Sequence, residues 1–133
     1  MAQVFTPATP IGKKILCIED EVFIGELYVR ALTKAGYEVT VEIDGKQGLD
    51  LAQTDAYDII LLDIMVPTIT GLDILKSLRN PTETPKLHSK IIITTNLDQR
   101  EDIRAAIEKQ ADGYLVKAEI TPRELVGIIN TIR

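Results

Sequence analysis

The sequence predicts a single α/β domain built on five parallel strands with five helices around them. Short apolar runs alternate five times with longer segments of helical periodicity, which is the pattern of βα units stacked about a parallel sheet. A chain of 133 residues is long enough to bury a real core and too short for two ordinary domains. Polar, chemistry-bearing residues stand where several of the apolar runs end, which is where open α/β sheets bind ligands.

Residues 1–12 carry no charged side chain and no continuous hydrophobic stretch of the kind a secretory signal needs, so they read as a loose tail ahead of a domain spanning 13–133. Lys14 to Ile18 is a candidate buried strand. A helix is expected from about Glu21 to Ala35, with Phe23, Leu27 and Ala31 spaced by four along its apolar face and Gly36 as its stop. Tyr37 to Ile43 alternates like a half-buried strand. Asp44 to Thr54 follows as a helix weakened by Gly45 and Gly48.

Asp58 to Leu62 is the third strand, after which Thr70 and Asp73 form a capping box opening a helix with Leu72, Leu75 and Leu78. Asn80-Pro81 ends that helix, and 81–89 reads as a loop containing the only histidine, His88, expected to be solvated because no acid adjoins it in sequence. Lys90 to Thr94 is the fourth strand. Asp98 and Glu101 are candidate caps for a helix carrying Ile103, Ala106 and Ile107, and Gly113 to Val116 is the fifth strand. Thr121-Pro122-Arg123-Glu124 then joins an N-cap, a first-turn proline and a reciprocal glutamate ahead of Leu125, Ile128, Ile129 and Ile132.

A net charge of −5 argues against a broad basic surface for nucleic acid or anionic lipid. No apolar run approaches the roughly 20 residues that span a bilayer. The single Cys17 cannot pair within the chain and reads as a small buried hydrophobe, which fits a cytoplasmic, reducing compartment.

The first strand ends in Glu19-Asp20-Glu21, the third in Asp63, the fourth in Thr94-Thr95 and the fifth in Lys117. Carboxylates gathered at one sheet edge repel one another at neutral pH unless a cation neutralises them or their pKa values rise. Mg²⁺ takes a few carboxylates while keeping waters, and Glu19, Asp20 and Asp63 supply suitable hard ligands. Asp63 attacking a phosphoryl group would place charge on three equatorial oxygens, which Mg²⁺ and Lys117 are suited to offset. A threonine hydroxyl on the fourth strand can bond the new phosphoryl oxygen, and strand alternation sends Thr94 and Thr95 to opposite sides. Glu21 reads as an acidic helix start favoured by the helix dipole.

Lys14-Ile15-Leu16-Cys17-Ile18-Glu19-Asp20-Glu21, Asp58-Ile59-Ile60-Leu61-Leu62-Asp63-Ile64-Met65-Val66-Pro67 with Gly71, then Thr95, and Tyr114 with Lys117 together resemble the response-regulator receiver family of two-component signalling. The resemblance covers about residues 13–133. It implies a doubly wound, flavodoxin-like sheet of strand order 2-1-3-4-5. It implies that Asp63 is the phospho-acceptor, that Asp20, Asp63 and the backbone carbonyl of Met65 bind Mg²⁺ with Glu19 helping directly or through water, and that Lys117 contacts the phosphoryl group. It selects Thr95 as the switch hydroxyl and couples it to Tyr114, so that phosphorylation shifts the face formed by the fourth helix, fifth strand and fifth helix. The implied partners are a histidine kinase or phosphotransfer protein and a downstream protein target, with a homodimer through that face as a further option. The only catalysis implied is the chain's own phosphorylation and dephosphorylation.

Three positions depart from the family's usual pattern. Glu19 stands where aspartate is commoner, its extra methylene moving the carboxylate by about 1.5 Å. Ala118 stands where a proline usually follows the lysine, and Thr70 replaces an aspartate while keeping the capping function. Glu19 and Ala118 motivate a competing reading, a receiver-like module that binds its partner without being phosphorylated. A phosphohydrolase or nucleotide-dependent enzyme fits less well. The chain has no G-x-x-x-x-G-K-[ST] loop and no G-x-G-x-x-G turn after the first strand, and Asp63-Ile64-Met65 has no second carboxylate two residues on.

Overall fold

The computed structural model describes residues 13–96 and 101–132. Its strands are β1 (Lys14–Ile18), β2 (Glu38–Glu42), β3 (Ile59–Asp63), β4 (Lys90–Thr95) and β5 (Gly113–Val116). They alternate with helices α1 (Val22–Lys34), α2 (Gly45–Ala52), α3 (Gly71–Arg79), α4 (Glu101–Gln110) and α5 (Pro122–Asn130), with a short 3₁₀ turn over Lys117–Glu119. All pairings are parallel and the order is β2-β1-β3-β4-β5, as the resemblance implies. The chain thus reverses its winding between β1 and β3, and the crevice of such sheets opens at that point.

Period-two alternation divides the interior. Leu16, Ile18, Ile60, Leu62, Ile91 and Ile93 face one side and pack with Ile74, Leu75 and Leu78 of α3 and Ile107 of α4. Ile15, Cys17, Ile59, Leu61 and Ile92 face the other and pack with Tyr28 and Leu32 of α1 and Leu125 and Ile129 of α5. Both faces of the central strands are therefore covered, which is why they read as unbroken apolar runs.

The helices differ from expectation in instructive ways. In α1 the buried stripe is Gly25, Tyr28 and Leu32, whereas Phe23 is 70% exposed. Spacing by four fits more than one overlapping stripe. The winning one puts Gly25 against β2, where an added Cβ would stand 3.5 Å from Val41. Gly48 lowers the helix propensity of α2 but is needed there, because a Cβ would lie 2.9 Å from Ile18. Asp44 caps α2, accepting from the Gln47 N–H at 3.0 Å. Thr70 caps α3, accepting from Asp73 N–H at 3.2 Å, and both arms of the box at Thr121 and Glu124 form on α5. Gly36 adopts φ of 102°, the left-handed stop expected after α1. The expectations for residues 1–12 and for Asp98 fall outside the described residues.

His88 corrects the sequence reading, which gave it no partner. Asp55, turned into the left-handed region at φ of 58°, brings Oδ1 to 2.6 Å from Nδ1, and Asp58 Oδ1 lies 3.3 Å from Nε2. Both acids are more than 29 residues away in sequence and arrive through the β3–β4 pairing. Their hydrogen bonds, Asp58 first and then Asp55, favour the imidazolium and raise the His88 pKa.

Gly71 lies against the β3 exit, where a Cβ would stand 2.5 Å from Ile64 Cα and closer still to the Asp63 carbonyl oxygen. Gly71→Ala should cost about 2 kcal/mol or more in urea unfolding. Gly127→Ala, with nothing within 4 Å of its Cβ on an α5 position, should instead gain about 0.5–1 kcal/mol. His88 is the only histidine, so its ring resonances should report a folded pKa above the free value of about 6.5. Its stabilising contribution is complete below about pH 6.5 and is lost as pH rises through the folded value. Asp58→Asn should move the titration down, and an unchanged midpoint would contradict the pairing.

Candidate functional site

The carboxyl edge of the sheet collects the acids. β1 ends one residue before Glu19, whose backbone N–H continues the ladder to the Glu42 carbonyl at 3.0 Å, so its side chain is delivered beside the end of β3. Asp63 is the last residue of β3 and is 2% exposed. Its Oδ1 accepts from the Met65 N–H at 3.0 Å and its Oδ2 from Lys117 Nζ at 3.0 Å. Lys117 leaves β5 in the 3₁₀ turn and reaches back under the edge, donating also to Glu19 Oε1 at 2.7 Å. Glu19 Oε2 accepts from the Glu21 N–H at 3.1 Å.

Glu19, Asp20 and Asp63 present carboxylate oxygens that all lie within 4.8 Å of one another, with Asp20 exposed and the other two buried. The buried part of this set holds two carboxylates against one ammonium. Burial lifts the Glu19 carboxyl to about 7, with Lys117 pulling it down and Asp63 pushing it further up. Burial alone would lower the Lys117 ammonium, yet its hydrogen bonds to Glu19 and Asp63 carry it above the usual lysine value. Tyr28, beneath the site on α1, is pushed up to about 12 by burial, and burial likewise raises the Cys17 thiol. An all-oxygen donor set with one member open to water suits a hard divalent cation that keeps several waters.

Thr95 is buried, and strand alternation places it with Ile91 and Ile93 on the face that also carries Tyr114. Ile93 pairs with Tyr114 and Thr95 with Val116, so the hydroxyl and the ring lie two rungs apart on the same face of adjacent strands. Arg104 of α4 lies over the Tyr114 ring at 5.4 Å. Met65 is exposed beside the acids. Ala118 sits within the 3₁₀ turn, and no cis peptide bond occurs among the described residues.

Sequence reasoning gave Glu21 only a helix-dipole role. Its side chain makes no cap on α1 and instead accepts from Asn96 Nδ2 at 2.8 Å, with Lys117 Nζ 3.6 Å away. Asn96 was not singled out at all. The available signal was its position next to Thr95, on the far side of β3 from the Glu21 loop.

A doubly wound parallel sheet with an acid cluster at its switch point and a lysine arriving from the last strand defines a receiver-type signalling module. The chain belongs to the response regulator receiver domain family, whose profile matches residues 15–130. It is 40% identical over 104 residues to the response regulator ArlR of Staphylococcus saprophyticus, covering 78% of this chain and 45% of that protein. The ArlR of Staphylococcus epidermidis is 41% identical over 103 residues, with 77% and 45% covered. The chain therefore spans about 45% of the length of these curated relatives.

Among solved structures, the receiver domain of Francisella response regulator 1452 superposes with a TM-score of 0.77 at 30% identity, over 90% of this chain and 94% of that one. The Vibrio cholerae chemotaxis protein CheY4 gives 0.77 at 26%, over 92% and 99%. The beryllofluoride-activated receiver domain of Klebsiella pneumoniae RstA gives 0.75 at 27%, over 88% and 95%. Receiver domains of this family are signalling modules of two-component systems rather than conventional enzymes, and they bind Mg²⁺ at an acidic pocket. Membership favours the phospho-responsive reading over the constitutive binding module. Among the described residues, no helix is long and apolar enough to cross a membrane.

Removing Lys117 leaves Glu19 and Asp63 buried without their shared counter-charge. Lys117→Met should therefore destabilise the fold by about 3 kcal/mol in chelator-containing buffer at pH 8. The deficit should shrink toward pH 5.5, where Glu19, its carboxyl raised by burial, takes up a proton. Urea titrations at the two pH values measure both, and a loss under about 1 kcal/mol at pH 8 would mean that the ion pairs are not what holds this edge together.

Proposed function

We propose that Asp63 accepts a phosphoryl group from a histidine kinase or phosphotransfer protein and that this chain, read as one receiver domain over 13–133, relays the event to a downstream protein in the cytoplasm. The observation that carries the reading is the placement of Asp63. Its carboxylate closes the central strand, oriented by the Met65 N–H and Lys117, beside two further acids.

Asp20, Asp63 and the Met65 carbonyl, with Glu19 directly or through a water, are the groups that would hold Mg²⁺. When bound, Mg²⁺ supplies countercharge for the phosphoryl oxygens and orients them. In the transfer, an Asp63 oxygen forms the new bond to phosphorus as the donor's P–N bond breaks, and the histidine nitrogen leaves with the electron pair. Lys117 Nζ, already 3.0 Å from Oδ2, is placed to bond an equatorial oxygen as charge develops. Thr95 is the hydroxyl that would bond the phosphorylated side chain, drawing the end of β4 inward. Tyr114 shares its face, so the movement would repack the α4–β5–α5 surface that a target, or a second copy of the chain, would read. The only catalysis in this scheme is the gain and loss of the chain's own phosphoryl group. The net charge of −5 supports protein partners over direct nucleic-acid contact.

Incubation with acetyl phosphate and Mg²⁺ should give a single phosphoryl adduct by intact mass, absent in Asp63→Asn. An adduct that persists in that variant, or none in the wild type, would refute the assignment. Mg²⁺ affinity, followed by amide shifts, should fall about tenfold or more in Asp20→Asn.

A further inference from the structure

The Glu21–Asn96 bond has a position in the fold that the functional reading leaves unused. Glu21 belongs to the loop after β1 and Asn96 directly follows β4, so their contact joins two strands that flank β3 on either side. Adjacent strands lie about 4.8 Å apart, so a bond between loops two strands apart spans about 10 Å. It must cross the end of β3, where Asp63 sits. Glu21 Oε1 makes this crossing at 2.8 Å to Asn96 Nδ2, with Lys117 Nζ 3.6 Å from the same oxygen. Lys117 spans the same edge between the buried carboxylates of Glu19 and Asp63. The edge is therefore bound twice, by a buried ammonium and by an exposed side-chain pair 75 residues apart in sequence.

Glu21 is also the N-cap residue of α1, and its carboxylate makes no cap on that helix. Asn96 draws it away, and this bond lowers the Glu21 pKa.

We propose that Glu21–Asn96 is a strap across the mouth of the acid site, and that Asn96 is a positioning residue which, through Glu21, restricts the access of small phosphodonors and of water to Asp63. This rests on the assignment of Asp63 as acceptor. For acetyl phosphate, an Asp63 oxygen bonds to phosphorus, the donor's acyl P–O bond breaks and acetate leaves with the electron pair. In hydrolysis, a water oxygen bonds to phosphorus, the Asp63 O–P bond breaks, the carboxylate leaves with the electron pair, and both water protons stay with the inorganic phosphate as dihydrogen phosphate. Both reagents must pass the strap.

Two variants separate the bond from the charge. Asn96→Ala removes the bond and keeps the anion. Glu21→Gln keeps an acceptor for Asn96 and removes the anion. With acetyl phosphate and Mg²⁺, Asn96→Ala should raise both the phosphorylation and the hydrolysis rate by about threefold to tenfold, the range set by one partly exposed hydrogen bond. Glu21→Gln should raise the phosphorylation rate more than the hydrolysis rate, because a carboxylate beside the site repels the donor dianion. Rates in Asn96→Ala that are slower than wild type, or within twofold of it, would overturn the strap. An independent reading comes from NMR of the Asn96 side-chain amide, whose protons should exchange more slowly in the wild type than in Glu21→Ala. Equal exchange would overturn the strap even if Asp63 is phosphorylated. A wild type that takes no phosphoryl group would refute the acceptor assignment, and the amide comparison would still decide the strap.

Discussion

The structure depends on one buried ammonium. Lys117 bonds Glu19 at 2.7 Å and Asp63 at 3.0 Å with its side chain 3% exposed, and that arrangement constrains everything around it. Two carboxylates this close and this buried cannot both remain charged without a cation. To meet them, the lysine must leave β5 and pass the ends of β4 and β3. That reach requires the order β3-β4-β5 and a register that ends the strands together, which the pairings Asp63 with Thr94 and Thr95 with Val116 provide. Because one ammonium is shared between two acids, with Asp20 exposed beside them, the edge keeps an excess of negative charge. A hard divalent cation would offset it.

The opposite end of the sheet is organised differently. There Asp55 and Asp58 hold His88, Ser89 donates to the Tyr57 carbonyl at 2.5 Å, and Arg79 bridges α3 to Asp112 at 2.8 Å ahead of β5. These contacts fix the loops entering β3, β4 and β5.

Much of this was legible in the sequence because period-two runs and capping residues act locally. The strands were found within a residue or two, and Thr121 and Glu124 form the expected box, while of the box expected at Thr70 and Asp73 the threonine arm is the one that forms. The acids and Lys117 were placed together by one general rule, that ligand chemistry gathers at the carboxyl ends of parallel strands. What escaped was non-local. Which of two stripes α1 buries, the one with Gly25, Tyr28 and Leu32, depends on how the helix lies against β2 and the sheet. The partners of His88 and of Glu21 lie 30 or more residues away, and no spacing within either segment points to them. Gly48 was read as a weakness by propensity alone, whereas the space it leaves belongs to Ile18.

The central claim is that the Lys117-linked acid edge is a phospho-acceptor site whose occupation moves the end of β4. Beryllofluoride with Mg²⁺ mimics the phosphoryl group without turnover, so amide spectra recorded before and after its addition test the claim most directly. Shifts are expected at Asp63, Met65, Thr95 and Lys117, extending to Tyr114 and α4, and they should be lost in Asp63→Asn. A spectrum that does not change, or one that changes equally in Asp63→Asn, would contradict it.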